Sequence, residues 1–95
     1  MTRAQIRAAL TEELSRIAPE IDPAEIDPEA DLREAFEIDS MDVLTLVTAL
    51  HKRLGVNVPE ADYARLSSLE AATDYLAARL GEGRRDQARR HGDHA

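Results

Sequence analysis

Ile38-Asp39-Ser40-Met41-Asp42, running on into Val43-Leu44-Thr45-Leu46-Val47, decides how this chain reads. On its N-terminal side lies a long acidic stretch punctuated by prolines. On its C-terminal side an apolar stripe begins at helical spacing. Ser40 stands at the junction. A serine at a helix start has an ordinary structural use: its hydroxyl accepts a bond from a first-turn backbone N–H, worth about 1 kcal/mol. The other use is as a surface hydroxyl offered to a modifying enzyme. A helix start suits the second use as well, because its unpaired N–H groups and positive dipole end favour an anion such as a phosphodiester.

The stripe beyond Ser40 predicts a helix from Ser40 to about Leu54, stopped by Gly55 at the C′ position. At 100° per residue, Val43, Leu44, Val47, Leu50 and Leu54 share a side, which is the expected core face. Met41 points almost opposite, beside Thr45, Thr48 and Lys52. Upstream, Ile6, Leu10, Leu14 and Ile17 recur at steps of four, four and three, predicting a helix that opens near Thr2 and closes before Pro19. Between the two helices Pro19, Pro23 and Pro28 break periodicity. The isolated Ile21, Ile26, Leu32 and Phe36 suggest a loop pinned to the core and partly helical.

Downstream, Val56 and Val58 lead to Pro59, which suits the first turn of a short helix through about Tyr63 to Arg65. Ser67-Ser68-Leu69-Glu70 matches a capping box with Ser67 as cap. A last helix follows with Leu69, Ala72, Tyr75 or Leu76, and Leu80 inward, ended by Gly81. From Glu82 the apolar periodicity stops, so residues 82–95 are expected to be a disordered tail and residues 1–81 the folded domain. The expected fold is all-α: a small four-helix bundle with three main helices, one short third helix and a long first loop.

Composition bounds the chemistry. The 95 residues contain no cysteine and only three aromatics, Phe36, Tyr63 and Tyr75. The core must therefore be aliphatic, with neither disulfide nor thiolate metal site. No apolar run suffices for a bilayer span and no signal peptide is evident, so a cytoplasmic protein is the default expectation. A bundle this small with no obvious exposed apolar seam is expected to be a monomer. The formal charge is −7, and between Glu20 and Asp42 ten acids meet one base, Arg33. Such a field repels nucleic acid and attracts proteins with basic patches.

An enzyme is not assembled by these residues. Ser40 needs a base to be a nucleophile, and His51 lies eleven residues along the same helix, roughly 16 Å away at about 1.5 Å rise per residue. His91 and His94 fall in the expected tail, where they are more simply solvated than metal-bound. An EF-hand begun at Asp27 would put Leu32 at the turn glycine and Ile38 at the bidentate glutamate, so that pattern fails. No metal site, phosphate loop or stacking platform is expected.

In order and register, Asp39-Ser40-Met41-Asp42, Leu46-Val47-Thr48-Ala49-Leu50, Val58-Pro59-Glu60, Leu66-Ser67-Ser68-Leu69 and Asp74-Tyr75-Leu76 resemble the acyl carrier protein family. Leu32 matches the leucine that closes the preceding loop, and Met41 stands for the leucine of the Asp-Ser-Leu motif. The resemblance implies that Ser40 carries 4′-phosphopantetheine, moved from coenzyme A by a magnesium-dependent phosphopantetheinyl transferase. It implies a non-catalytic carrier of acyl or aminoacyl thioesters serving fatty-acid, polyketide or specialised lipid synthesis. Asp39, Met41, Asp42 and Thr45 become candidate recognition residues for partners. By position Leu50, Val58, Tyr63, Leu66 and Ala72 would line an acyl cleft, which Tyr63 is expected to make shallow. Thr45, His51 and Lys52 stand where fatty-acid carriers keep glutamates, which opens the choice of partner enzymes. The alternative is an unmodified acidic helical adaptor that only binds another protein.

Overall fold

A computed structural model describes the backbone of residues 1–94 and the side chains of residues 1–81. Helix α1 spans Arg3–Ile17. Thr2 caps it: its hydroxyl accepts from Gln5 N–H while the Gln5 side chain accepts from Thr2 N–H, satisfying two orphan donors at once. A 3-10 turn follows at Pro23–Glu25, then the one-turn helix α2 at Leu32–Ala35. Helix α3 spans Ser40–Leu54 and α4 spans Leu69–His94, separated by a 3-10 segment at Glu60–Leu66. The described residues contain helices and turns but no strand, as the expected all-α bundle requires.

Helix α1 packs against both α3 and α4, and the 3-10 segment packs on α4. One aliphatic cluster fills the space between them. Leu10, Leu14, Leu50 and Leu76 are wholly buried. Each such side chain contributes about 1.5–3 kcal/mol through burial. The long loop is part of this core: Leu32 and Phe36 are buried, and Ile21 and Ile26 pack against the cluster. Two backbone bonds fasten the loop to the start of α4, from Leu32 N–H to Ser67 C=O at 2.8 Å and from Glu70 N–H to Pro28 C=O at 2.9 Å. Arginines on the rim join the helices. Arg3 pairs with Glu70 and Asp74, and Arg53 at the end of α3 pairs with Glu12 and the buried Glu13 of α1.

Several local expectations are corrected. The buried face of α3 is Leu46, Val47 and Leu50 with Val43 and Leu54 half-buried, whereas Leu44 is exposed. At 100° per residue Leu46 lies 40° from Leu50 on one flank, while Leu44 lies 60° beyond Val47 on the other. Leucines stand on both flanks of the stripe, and the packed bundle buries the Leu46 flank while Leu44 borders solvent. The cap of α4 is Ser68, whose hydroxyl accepts from Ala71 N–H at 3.0 Å; Ser67 instead gives its carbonyl to the loop. Both Tyr75 and Leu76 face inward. Helix α4 continues past Gly81, which does not take the left-handed conformation of a helix-ending glycine. The expected tail, residues 82–95, and with it His91 and His94, lies outside the residues whose side chains are described.

Tyr75 fixes the 3-10 segment. Its hydroxyl donates to Asp62 Oδ2 at 2.7 Å, and the guanidinium groups of Arg65 and Arg79 lie 5.3 and 5.9 Å from its ring centre. Burial, and then the bond to Asp62, push the phenol's pKa above its usual value.

Candidate functional site

The approach to Ser40 is built by two aspartate-capped turns. Asp31 caps α2, its Oδ1 accepting from the N–H groups of Arg33 and Glu34. The turn closes when Ile38 N–H donates to Arg33 C=O at 3.0 Å and Glu37 N–H to Glu34 C=O at 3.3 Å. Closing it this tightly puts Glu37 at φ 52°, the one non-glycine residue with positive φ among the described residues. Side chains pay about 1–2 kcal/mol to sit in that region. Phe36 and Ile38, both buried, anchor the two sides of the kink, so packing holds it in place.

The cap of α3 is Asp39, not Ser40. Asp39 Oδ1 accepts from Asp42 N–H at 3.0 Å, and Asp42 Oδ2 accepts from Asp39 N–H at 3.2 Å, a reciprocal box made by two aspartates. The structural use open to Ser40 is thereby taken by its neighbour. Ser40 is the first helical residue, exposed, and its Oγ accepts a bond from Arg33 Nη2 at 2.9 Å. The partner is a guanidinium, which cannot act as a base, and His51 lies in the last turn of the same helix. No group of three His, Asp or Glu among the described residues could hold a metal ion. What the site offers is an accessible hydroxyl, with a cation beside it, at the start of a fifteen-residue helix.

The residues named with Ser40 do gather around it along α3. Asp39 and Asp42 flank it, and Met41 is 68% exposed. Thr45 is exposed, its hydroxyl turned back to Met41 C=O at 3.0 Å. Met41 and Thr45, with Leu44, Thr48 and Lys52, form one wall of a wide groove whose other wall comes from α1 and the Asp22–Ala24 turn. Arg53 reaches Glu12 and Glu13 across that groove, so of the three bases at this end only His51 and Lys52 are left without a carboxylate partner among the described residues. The five residues named for an acyl cleft lie on the opposite, inward side. Leu50, Val58, Leu66 and Ala72 are all buried in the core cluster, and Tyr63 packs half-buried against it.

Sequence reasoning passed over two residues here. Arg33 was visible as the lone base of the acidic stretch, and that isolation was the available signal. Glu37 carried none, because its backbone conformation depends on how the loop packs.

Residues 4–76 match the family described as a phosphopantetheine attachment site. The match includes α1, which the sequence motifs had left out. An acyl carrier protein of Rubrobacter xylanophilus is 34% identical over 56 residues, covering 59% of this chain and 69% of that protein. The polyketide-8 synthase acyl carrier protein 2 of Streptomyces avermitilis is 32% identical over 65 residues, covering 68% of this chain and 75% of that protein. An acyl carrier protein of Thermosynechococcus vestitus is 28% identical over 72 residues, 76% of this chain and 83% of that protein.

Proposed function

This chain belongs to the phosphopantetheine-binding acyl carrier proteins, and from that premise we propose that Ser40 is the residue that bears the arm. The single observation carrying the assignment is that Ser40 is exposed at the head of α3 while Asp39 performs the capping. Its hydroxyl is spare. In the loading step Ser40 Oγ forms a bond to the pantetheine-side phosphorus of coenzyme A. The pyrophosphate bond breaks, adenosine bisphosphate leaves, and the hydroxyl proton passes to a base of the transferase. The arm supplies a terminal thiol on which acyl groups are held as thioesters. Everything else done by this chain is presentation, and the carrier catalyses nothing itself.

The folded carrier domain is residues 1–81, with 82–95 an extension beyond it. Asp39, Met41, Asp42 and Thr45 form the surface that enzymes with basic patches meet first, the aspartates steering the approach and Met41 serving as the apolar anchor. No described helix is long and apolar enough to cross a membrane. The working environment is the cytoplasm, and the carrier acts as a monomer. Likeness to proteins named acyl carrier protein and polyketide-8 synthase acyl carrier protein 2 supports fatty-acid, polyketide or specialised lipid synthesis as the pathway class. Leu50, Val58, Leu66 and Ala72 would have to part to admit an acyl chain, and Tyr63 limits how far. A long acyl chain should therefore add little stability over a short one. A melting series would contradict this if stability grew by about 0.8 kcal/mol for each added CH₂.

Incubation with coenzyme A, magnesium and a broad-specificity transferase, followed by intact mass, tests the assignment. One phosphopantetheinyl group should appear on the native chain and none on Ser40→Ala. Asp39→Asn combined with Met41→Ala should slow the gain; an unchanged rate removes their recognition role. No gain with several transferases would favour an unmodified adaptor.

A further inference from the structure

Seven arginines lie among the residues with described side chains, and six have evident structural work. Arg3, Arg7, Arg16 and Arg53 form ion pairs, and Arg65 and Arg79 lie over the Tyr75 ring. Arg33 is the exception. It has no carboxylate within 4.0 Å among the described residues, although it sits in the most acidic stretch of the chain. The nearby carboxylates of Asp31, Asp39 and Asp42 are turned to backbone N–H groups as caps. The guanidinium is left with one hydrogen bond, to Ser40 Oγ. Its root is fixed, since Arg33 N–H is held by Asp31 and Arg33 C=O by Ile38 N–H, two residues before Ser40.

A guanidinium presents several N–H donors in a planar fork, a shape matched to phosphate oxygens rather than to one neutral hydroxyl. Loading would turn that hydroxyl into an anionic diester between Asp39 and Asp42, where like charges repel. We propose that Arg33 is the positioning residue for the phosphodiester on Ser40, moving its contact from Oγ to the non-bridging oxygens once the group is attached. The role rests on Ser40 being the modified residue. It makes Arg33 the counter-charge that lets two aspartates stand beside the attachment point, and it holds the root of the arm against α2.

The test compares melting temperatures of bare and loaded protein for the native chain, Arg33→Lys and Arg33→Gln, with intact mass confirming complete loading. The quantity read is the change on loading, in which any effect of the substitution on the bare fold cancels. Loading should lower the melting temperature of Arg33→Gln by about 3 °C or more relative to its effect on the native chain. Arg33→Lys, which keeps the charge but not the fork, should fall between. The gap should shrink near 1 M salt, where the screening length is about 3 Å. Should Arg33→Gln not fold, the native and Arg33→Lys pair decides, with equal shifts counting against the role. Loading shifts equal within about 1 °C in all three chains at low salt would overturn the proposal while leaving the carrier assignment intact. So would a folded Arg33→Gln that cannot be loaded, because Arg33 would then act on the transferase. Absence of the group from every chain would remove both readings.

Discussion

The C-terminal end of α3 closes on Gly55 at φ 72° with Arg53 tied to Glu12 and Glu13, whereas its N-terminal end is entered from Glu37 at φ 52° and opens on an exposed serine and an arginine without a carboxylate partner. Both ends require a residue in the left-handed region. At the far end that residue is glycine, the cheapest choice. At the near end it is a glutamate, held there by the buried Phe36 and Ile38 on either side. One end is finished for stability. The other accepts backbone strain and leaves polar groups partly unused, which is where a modification site would be expected to sit.

Exchanging the two finishes gives the largest effect. Gly55→Ala should destabilise by about 1–2 kcal/mol, purely through backbone conformation, since nothing lies within 4 Å of the position a Cβ would take. Glu37→Gly should do the reverse, gaining about 0.5–1 kcal/mol after the extra chain entropy that glycine loses on folding. Urea denaturation of both variants tests the pair. A loss of stability in Glu37→Gly would mean that the glutamate side chain, not packing, holds the kink.

Asp39→Ala should cost about 1 kcal/mol, seen as a fall of roughly 4–8 °C in melting temperature, because a cap is removed. Ser40→Ala should stay within about 0.5 kcal/mol of the native chain. This neighbouring pair separates the structural residue from the spare one. Equal losses would return Ser40 to the rank of a cap.

The smallest effect lies away from both ends, at Tyr75. Its phenol is harder to ionise folded than unfolded. As pH rises past about 10 the unfolded chain loses this proton first. The contribution to stability is therefore complete below that pH and is lost as pH climbs towards the higher pKa of the folded group. Tyr75→Phe should remove this part of the alkaline loss, measurable as a flatter dependence of denaturation midpoint on pH.

Much of this was legible in the chain itself. The helical periods of α1 and α4, the pinned loop residues Leu32 and Phe36, Gly55 as the stop and exposed Met41 all follow from spacing and local chemistry. What was not legible depended on neighbours distant in sequence. Leu44 and Leu46 flank the stripe of α3 on opposite sides, and spacing alone does not say which flank the rest of the bundle covers. Ser67 and Ser68 can each cap α4, and the choice falls when Ser67 C=O is taken by Leu32 N–H. The box between Asp39 and Asp42 was missed because the familiar signature has serine or threonine as the cap and glutamate or glutamine three residues later. The pairing of Arg53 with Glu12 and Glu13 also depends on α1, more than forty residues away in the chain for Glu12. At the site the residue type and position of Ser40 were readable. Its freedom from capping and its contact with Arg33 needed the folded loop.

The most direct measurement is the mass of the peptide containing Ser40, taken from chain isolated from the cells that make it and fragmented to locate any added group. A phosphopantetheinyl group is expected on that serine and on no other residue. A bare Ser40 in all of the isolated chain, or the group on a different residue, would contradict it.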